Sequence, residues 1–217
     1  MYTPPKALIF DFGNVLFAWD PRQVYKDYFS NQGAIDAFFE EIDFFAWNLE
    51  QDKGRPFADG VTLLSARFPQ YAHLIHIYNE RWEDSMLSPI AGAIELVRRL
   101  KYAQHPLYLL TNFSCEKFAL MRQRCDFLQL FDDLIISSEH HLVKPDPAIF
   151  RLTLKRINRP AHECVFIDDS RDNIETARSL GFVTIHFQSA AQLETELRQR
   201  NILQLTSETT QLHNLVG

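Results

Sequence analysis

The sequence predicts an α/β fold in which a doubly wound parallel sheet carries an inserted helical subdomain. Short apolar runs recur along the chain, and amphipathic helical patterns separate most of them. Residues 20–88 interrupt this alternation, because their apolar residues have helical spacing and no good strand pattern. Strands that alternate with helices form parallel sheets, and such sheets bind ligands beyond the carboxyl ends of their strands.

Five apolar runs are the candidate strands of this sheet. They are Ala7–Phe10, Leu107–Leu110, Leu134–Ile136, Val165–Ile167 and Val183–Phe187. Continuous apolar runs of this length fit strands that are buried on both faces, which favours a Rossmann-like sheet covered by helices.

Helical patterns fill the intervals between the strands. The clearest patterns cover Ile90–Lys101, Glu116–Arg124, Ala148–Ile157 and Asn173–Leu180. In the insertion, one helical face is shared by Ile35, Phe38, Phe39 and Ile42. Helical patterns continue over residues 56–68 and 71–82, so the insertion is expected to be helical throughout.

These patterns also predict the domain organisation. Pro89 marks the return of the chain from the insertion to the sheet. We expect a sheet domain of residues 1–18 and 89–201 and a helical cap of residues 19–88. Residues 202–217 are expected to form a last helix or a tail.

The composition excludes several classes of protein. The net charge is -6 and Lys and Arg form no cluster, so nucleic acid is not an expected partner. No segment approaches the ~18 apolar residues of a membrane span, and the apolar run before Asp11 is too short for a signal peptide. Cys115, Cys125 and Cys164 show no C-x-x-C spacing, so we expect buried free thiols and a cytoplasmic location. The oligomeric state stays open.

Polar side chains follow four of the predicted strands. Asp11, Thr111 and the pair Asp168 and Asp169 come directly after apolar runs, and Lys144 follows a loop after the third run. Taken singly, each has an ordinary explanation as a turn residue, a helix start or a surface charge. Together they bring carboxylates, a hydroxyl and an ammonium group to one edge of the sheet, which indicates an active site.

Four motifs surround these residues: Ile9–Leu16, Leu109–Asn112, Lys144–Pro147 and Phe166–Asn173. Their order and spacing resemble the four motifs of the haloacid dehalogenase (HAD) superfamily of hydrolases. The first motif, Asp-Phe-Gly-Asn-Val-Leu, is most similar to that of bacterial glucose-1-phosphate-type phosphatases and, more distantly, to the phosphatase domain of soluble epoxide hydrolases. The resemblance implies an HAD-like core, a cap between the first two motifs, and hydrolysis of a small phosphate ester.

The resemblance also implies a reaction through an aspartyl-phosphate. Asp11 would attack the phosphorus, Thr111 would donate its hydroxyl to the transferring phosphoryl group, and Lys144 would supply positive charge. Asn112 is a further candidate for binding the phosphate, with a role as a turn residue as the alternative. The expected partner is a small phosphorylated metabolite such as a sugar phosphate.

The expected cofactor is Mg²⁺, which prefers oxygen ligands and keeps several waters, so that one or two carboxylates suffice to hold it. Asp11 and Asp169 are the candidate direct ligands. The resemblance adds the backbone carbonyl of Gly13 and places Asp168 on a metal-bound water or in hydrogen bonds behind the ligands. Asn173 would orient these groups.

Gly13 departs from the family pattern. Most HAD phosphatases have a second Asp at this position, and it protonates the leaving oxygen. Loss of such a group costs roughly 10²- to 10⁴-fold in rate, so we expect either an activated ester as substrate or another acid in its place. Asp20 is the nearest candidate, although its position before Pro21 also suits a helix N-cap.

Other residues near the motifs have competing explanations. Ser114 and Asp172 suit the starts of helices. Trp19, Trp47 and Trp82 offer apolar faces to a substrate or pack within the cap.

Three rival functions compete with hydrolysis of a phosphate ester. In metal-free dehalogenation of a haloacid, Asp168 and Asp169 would repel Asp11, because no cation would lie between them. A non-catalytic binding protein of the same fold would have no need to retain Asp11 and Lys144. A phosphomutase particularly needs an acid–base group at position 13.

Overall fold

The computed structural model describes residues 7–204. Their strands are β1 (Ala7–Phe10), β2 (Phe17–Trp19), β3 (Met86–Pro89), β4 (Leu107–Thr111), β5 (Asp133–Ile136), β6 (Cys164–Asp168) and β7 (Val183–His186). Five of them form one parallel sheet in the order β5-β4-β1-β6-β7, while β2 and β3 form a separate antiparallel pair. The chain adds strands first on one side of β1 and then on the other, which confirms the predicted doubly wound, Rossmann-like α/β fold.

The helices of the described residues cover both faces of this sheet and form the insertion. They are α1 (Gln32–Ile42), α2 (Phe44–Asp52), α3 (Phe57–Arg67), α4 (Ala72–Glu80), α5 (Ala91–Tyr102), α6 (Cys115–Arg124), α7 (Pro147–Ile157), α8 (Arg171–Ser179) and α9 (Ala190–Gln199). Where the sequence predicts a helix, the observed helix begins and ends within a few residues of the predicted bounds.

The sheet is buried on both sides because neighbouring residues of each strand point to opposite faces. In β1, Leu8 and Phe10 belong to a hydrophobic cluster that includes α5 and α9. Ala7 and Ile9 belong to a second cluster, formed with α7 and α8. The carboxyl end of the central strand is thereby held rigidly between two packed layers.

The sequence patterns do not predict β2, β3 or α9. The expectation that residues 20–88 contain no strand is wrong at β3, because this strand pairs only with the short β2 and is largely exposed, which leaves no burial pattern. In α9 only Leu193 and Leu197 are buried, against α5, and two apolar residues give a weak helical signal.

The insertion between β2 and β3 is packed mainly through aromatic rings. Phe39 of α1 stacks on Phe44 of α2 with ring centroids 4.1 Å apart, and Tyr78 of α4 meets Phe44 edge-on at 4.9 Å. Asp43 adopts a left-handed conformation (φ 53°) that ends α1 and starts α2. The predicted cap boundaries, residues 19–88, stay a prediction.

The predicted final segment, residues 202–217, lies largely outside the described residues. Among residues 7–204, no helix has the length and apolar character needed to cross a lipid bilayer. Cys125 and Cys164 are buried free thiols, as expected. Cys115 is also free but exposed, because it opens α6 at the protein surface.

Candidate active site

The predicted site residues meet at the carboxyl ends of three neighbouring strands. Asp11 follows the central strand β1, Thr111 is the last residue of β4, and Asp168 is the last residue of β6. Lys144 reaches the same place from the loop between β5 and α7. Because β4 and β6 flank β1, the topology itself brings these side chains together.

Lys144 is the electrostatic centre of the site. Its ammonium Nζ lies 2.9 Å from Asp11 Oδ1 and 2.7 Å from Asp168 Oδ2, and its side chain is only 1% exposed. Burial opposes the charge of Lys144, but the two carboxylates outweigh it and raise the pKa of this lysine. Lys144 is therefore a permanent cation between two carboxylates.

Asp168 is fully buried, and hydrogen bonds occupy both of its oxygens. Oδ1 accepts from the backbone N–H of Ser170 at 2.8 Å and from Asn173 Nδ2 at 2.9 Å. Oδ2 accepts from Lys144 at 2.7 Å and from Asn173 Nδ2 at 3.1 Å. These contacts suit Asp168 to hold Lys144 in place, and Asn173 fixes the orientation of the Asp168 carboxylate.

Asn112 holds the loop that carries Lys144. Its side-chain Nδ2 donates to the carbonyl of Lys144 at 2.9 Å, and its Oδ1 accepts from the Lys144 backbone N–H at 2.8 Å. The amide oxygen and one N–H of the amide are thus used within the protein, so a contact with a phosphate would use the second Nδ2 hydrogen or the backbone N–H of Asn112. Asp146 then caps α7 by accepting from the N–H of Ala148 at 2.8 Å.

Asp11, Asp168 and Asp169 form a cluster in which one oxygen from each lies within 4.8 Å of the others. The pKa of Asp11 is raised to about 7, because burial and the nearby Asp168 and Asp169 together outweigh Lys144, which lowers it. The pKa of Asp169 is also raised by burial and by Asp168. Three carboxylates share one ammonium group, so a divalent cation would balance the site, and oxygen is the ligand that Mg²⁺ prefers.

Gly13 lies at the edge of this cluster and lines the same cavity. A Cβ atom built on Gly13 has no heavy atom within 4 Å, apart from its chain neighbours. Neither packing nor space therefore demands a glycine here. Next to it, Asn14 has a left-handed conformation (φ 54°), and its Oδ1 accepts from the backbone N–H of Trp19 at 3.0 Å.

A cavity of about 680 Å³ opens above the cluster, between the sheet and the insertion. We call its sheet side the polar floor, which consists of Asp11, Gly13, Thr111, Lys144, Asp169 and Asn173. We call the opposite side the apolar wall, which consists of Trp19, Phe45, Leu49, Phe57, Tyr78 and Trp82. The volume suits a small organic molecule, with its polar group at the floor.

One further carboxylate, which the sequence patterns do not single out, lines the cavity. Asp52 is the last residue of α2 and lies among the residues of the apolar wall. Its pKa is raised to about 7, because burial and the nearby Asp11 together outweigh Lys144 and the backbone N–H of Ser114, which lower it. Asp52 belongs to no motif, so only the folded insertion shows that it faces Asp11.

The other candidate residues have structural roles in helix caps or in the packing of the insertion. Asp20 caps the short helix that follows it, because its Oδ1 accepts from the N–H of Arg22 at 3.0 Å. Ser114 caps α6 and Asp172 lies in the first turn of α8, as predicted. Trp47 packs inside the insertion and donates to the carbonyl of Gly60 at 2.8 Å.

Three comparisons relate the chain to known proteins. A family model described as haloacid dehalogenase-like hydrolase matches residues 5–181. The sesquiterpene phosphatase astK of Aspergillus oryzae is 30% identical over 200 residues, which cover 92% of this chain and 98% of that protein.

Two solved structures share the fold. The HAD family enzyme bt-2542 of Bacteroides thetaiotaomicron, in complex with magnesium and inorganic phosphate, aligns with a TM-score of 0.68 and 21% identity, covering 85% of this chain and 95% of that one. The L-2-haloacid dehalogenase of Xanthobacter autotrophicus aligns with a TM-score of 0.59 and 17% identity, covering 92% of this chain and 85% of that one. At these identities the similarity is one of fold.

Proposed function

The chain belongs to the haloacid dehalogenase-like hydrolase family, and on that premise we propose that it is a Mg²⁺-dependent phosphatase of small phosphate monoesters. The observation that carries the proposal is the excess negative charge of Asp11 and Asp169 on the polar floor and of Asp168 directly behind it, which calls for a cation. A cation and Lys144 together would make the floor attractive to the oxygens of a phosphate group.

The proposed metal site uses residues that fit Mg²⁺ by chemistry and position. Asp11 and Asp169 would bind the ion directly, together with the backbone carbonyl of Gly13. Asp168, whose oxygens are both occupied, would act through a bound water or through Lys144 and Asn173. The magnesium and phosphate in the related bt-2542 structure support this choice of cofactor.

The proposed reaction proceeds in two steps on Asp11. Its carboxylate attacks the phosphorus and forms an aspartyl-phosphate, which water then hydrolyses. Lys144, placed 2.9 Å from Asp11, would neutralise the phosphoryl oxygens, and the Thr111 hydroxyl would donate to one of them. When bound, Mg²⁺ supplies further positive charge for the same purpose.

The apolar wall indicates which class of ester fits the cavity. Sugar hydroxyls need polar partners, but the wall offers aromatic and aliphatic side chains interrupted chiefly by Asn48, Asp52 and Lys117. The Lys117 ammonium is already engaged, since it donates to the carbonyl and to Oδ1 of Asn79. We therefore infer a phosphate ester of an apolar alcohol, which the relationship to a sesquiterpene phosphatase supports.

The proposal is tested by phosphate release from a panel of prenyl, sugar, acyl and aryl phosphates, with Mg²⁺ and with a chelator. The wild type should release phosphate only with metal and prefer the prenyl ester. Asp11→Asn should reduce release by ~10⁴-fold or more. Asp59→Asn, an exposed carboxylate on α3, is the matched control and should behave as wild type.

Two other outcomes would contradict the proposal. Halide release from a 2-haloacid without metal, and no phosphate release, would assign the rival dehalogenase reaction. Binding of phosphate esters without turnover of any of them would assign the rival binding function. Preference for the sugar phosphate would agree with the proposed phosphatase activity but would contradict the inference that the substrate is an ester of an apolar alcohol.

A further inference from the structure

A phosphatase of this kind needs a proton for the departing alcohol, and Gly13 cannot supply it. An alkoxide is a poor leaving group, and a positioned acid typically accelerates its departure by ~10²- to 10⁴-fold. No other side chain occupies the place that an aspartate side chain at position 13 would fill, because a Cβ atom built on Gly13 meets no heavy atom within 4 Å, apart from its chain neighbours. The acid must therefore enter the cavity from another segment.

We propose that Asp52 is this acid, and that it also serves as the base for the attacking water. The proposal rests on the proposed phosphatase function. Asp52 lines the cavity from the end of α2, on the side opposite the polar floor, where the alcohol of a bound ester would lie.

Contacts from both sides of the cavity fix the position of Asp52. Asn48, one turn earlier in α2, donates from Nδ2 to Asp52 Oδ2 at 3.3 Å. From the sheet domain, the Ser137 hydroxyl donates to the Asp52 carbonyl at 2.5 Å. The residue is thus tied through its backbone to the loop after β5, and it lines the cavity together with Asp11 and Lys144.

The charged groups around Asp52 favour its protonated form. Within residues 7–204 it forms no ion pair, while Asp11 has the Lys144 ammonium at 2.9 Å. The ionisable groups that face Asp52 are Asp11 and Lys144 from the floor and Tyr78 from α4. Lys117 also lines the cavity but is bound to Asn79. Consistent with this, burial raises the pKa of Asp52 to about 7, so a proton is available near neutral pH.

Other side chains in the described part of the chain do not compete for this role. The carboxylates that line the cavity are Asp11, Asp52, Asp169 and Asp172, and no histidine is among the lining residues. Asp11 and Asp169 belong to the proposed metal site, and Asp172 is exposed in the first turn of α8. Asp20 is occupied as a helix cap.

The proposed proton transfers balance over the two steps. In the first, the Asp11 carboxylate forms a bond to phosphorus, the bond from phosphorus to the ester oxygen breaks, and that oxygen takes the bonding pair and the Asp52 proton. In the second, the Asp52 carboxylate removes a proton from water as the water oxygen attacks phosphorus. The bond to Asp11 then breaks, its electron pair returns to the Asp11 carboxylate, and phosphate departs with Asp52 protonated again.

Comparison of an alkyl and an aryl phosphate tests this role, because an aryl oxide leaves without a proton. In Asp52→Asn we expect steady-state turnover of the alkyl ester to fall by ~10²- to 10⁴-fold. With the aryl ester, rapid mixing should still give a stoichiometric burst of phenol, followed by slow turnover, since only the second step lacks its base. The aspartyl-phosphate should accumulate and be visible by intact mass.

The matched control is Glu50→Gln, which removes a charge from the same helix. Glu50 is exposed and paired with Lys53 at 2.9 Å, away from the cavity, so both esters should turn over at the wild-type rate. Wild-type turnover of the alkyl ester by Asp52→Asn would overturn the proposal, and so would loss of the aryl burst. A wild-type protein that is inactive on both esters would instead overturn the proposed phosphatase function on which the assignment rests.

Discussion

The polar floor and the apolar wall face each other across one cavity but are built in different ways. The floor consists of residues at the carboxyl ends of strands, in the loop after β5 and in the first turn of α8, and hydrogen bonds and two buried layers hold Asp11 and Lys144 in place. The wall consists of Trp19 of β2 and of residues on the helices that follow it, and aromatic packing such as Phe39 on Phe44 holds these helices together.

This difference separates the chemistry of the site from its selectivity. The floor supplies charge at fixed positions, so a change there should alter the reaction with every substrate. The wall supplies shape and apolar surface, so a change there should alter affinity for some substrates. Asp52 is the exception to this division, because it lies on the wall and is nevertheless proposed to take part in the reaction.

The largest effect should come from Lys144→Met, which removes the cation of the floor. Activity should fall by ~10²- to 10³-fold or more, because the phosphoryl oxygens lose a fixed charge. The free energy of unfolding should also fall by about 3–5 kcal/mol, since Asp168 stays buried beside Asp11 without a compensating cation. Denaturant unfolding and phosphate release measure both effects.

Lys155→Met is the matched control for this change. Lys155 lies in the last turn of α7 and is exposed, so its loss should change neither stability nor activity appreciably. If Lys144→Met kept wild-type stability, the floor would not depend on the ion pairs described above.

The next largest effect should come from Asp169→Asn, which keeps the shape of the floor but removes a proposed metal ligand. The Mg²⁺ concentration for half-maximal activity should rise by ~10- to 100-fold, as a metal titration would show. Glu175→Gln, an exposed residue of α8 paired with Arg171, should leave this concentration unchanged. An unchanged metal dependence in Asp169→Asn would place the cation elsewhere.

A smaller and more selective effect is expected from Leu49→Ala on the wall. The loss of apolar contact, about 1–2 kcal/mol, should raise KM for a prenyl phosphate by roughly 5- to 30-fold and spare a sugar phosphate. Leu63→Ala on α3 removes the same atoms from an exposed position outside this cavity and serves as the control. Equal changes in KM for both esters would remove the distinction between wall and floor.

The last prediction concerns the pH dependence of stability in metal-free protein. In the folded state the pKa values of Asp11 and Asp52 are about 7, against 3.8 for an unperturbed Asp. The folded state therefore binds more protons than the unfolded state between these values, and the free energy of unfolding should fall as the pH rises from about 4 to about 7. Mg²⁺ should weaken this fall because it binds ionised Asp11.

Thermal melting across this pH range, with and without chelator, measures the effect. A melting temperature that rises with pH in the chelated protein would contradict the assignment of raised pKa values. Asp52→Asn, which cannot titrate at position 52, should show a shallower fall than the wild type.

The floor could be predicted from the sequence because its residues are placed by local patterns. An apolar run followed by Asp11 or by Asp168 indicates a strand and its carboxyl end, and parallel strands bring those ends together. The fold class followed from the same patterns. The bounds of most helices were close for the same reason, since periodicity and caps such as Ser114 are local signals.

The apolar wall could not be predicted in this way, and neither could the contacts between residues that are distant in the sequence. Asp52 faces Asp11 only because α2 packs over the end of the sheet, and no local pattern encodes that contact. The side chain of Asn112 has the polar groups that bind a phosphate, yet its amide is hydrogen-bonded to the backbone of Lys144. β2 and β3 pair across the whole insertion and were missed because each is too short to show a pattern.

The attachment of α2 to the loop after β5 has a mechanical consequence. The Asp52 carbonyl accepts from Ser137, the Lys53 carbonyl accepts from His141 Nδ1 at 2.8 Å, and Gly54 brings the backbone directly against the His141 ring. Separating these segments would break both hydrogen bonds, at about 0.5–1.5 kcal/mol each. Together the two hydrogen bonds tie the end of α2 to the loop after β5 by about 1–3 kcal/mol, so a local separation of these two segments requires little free energy.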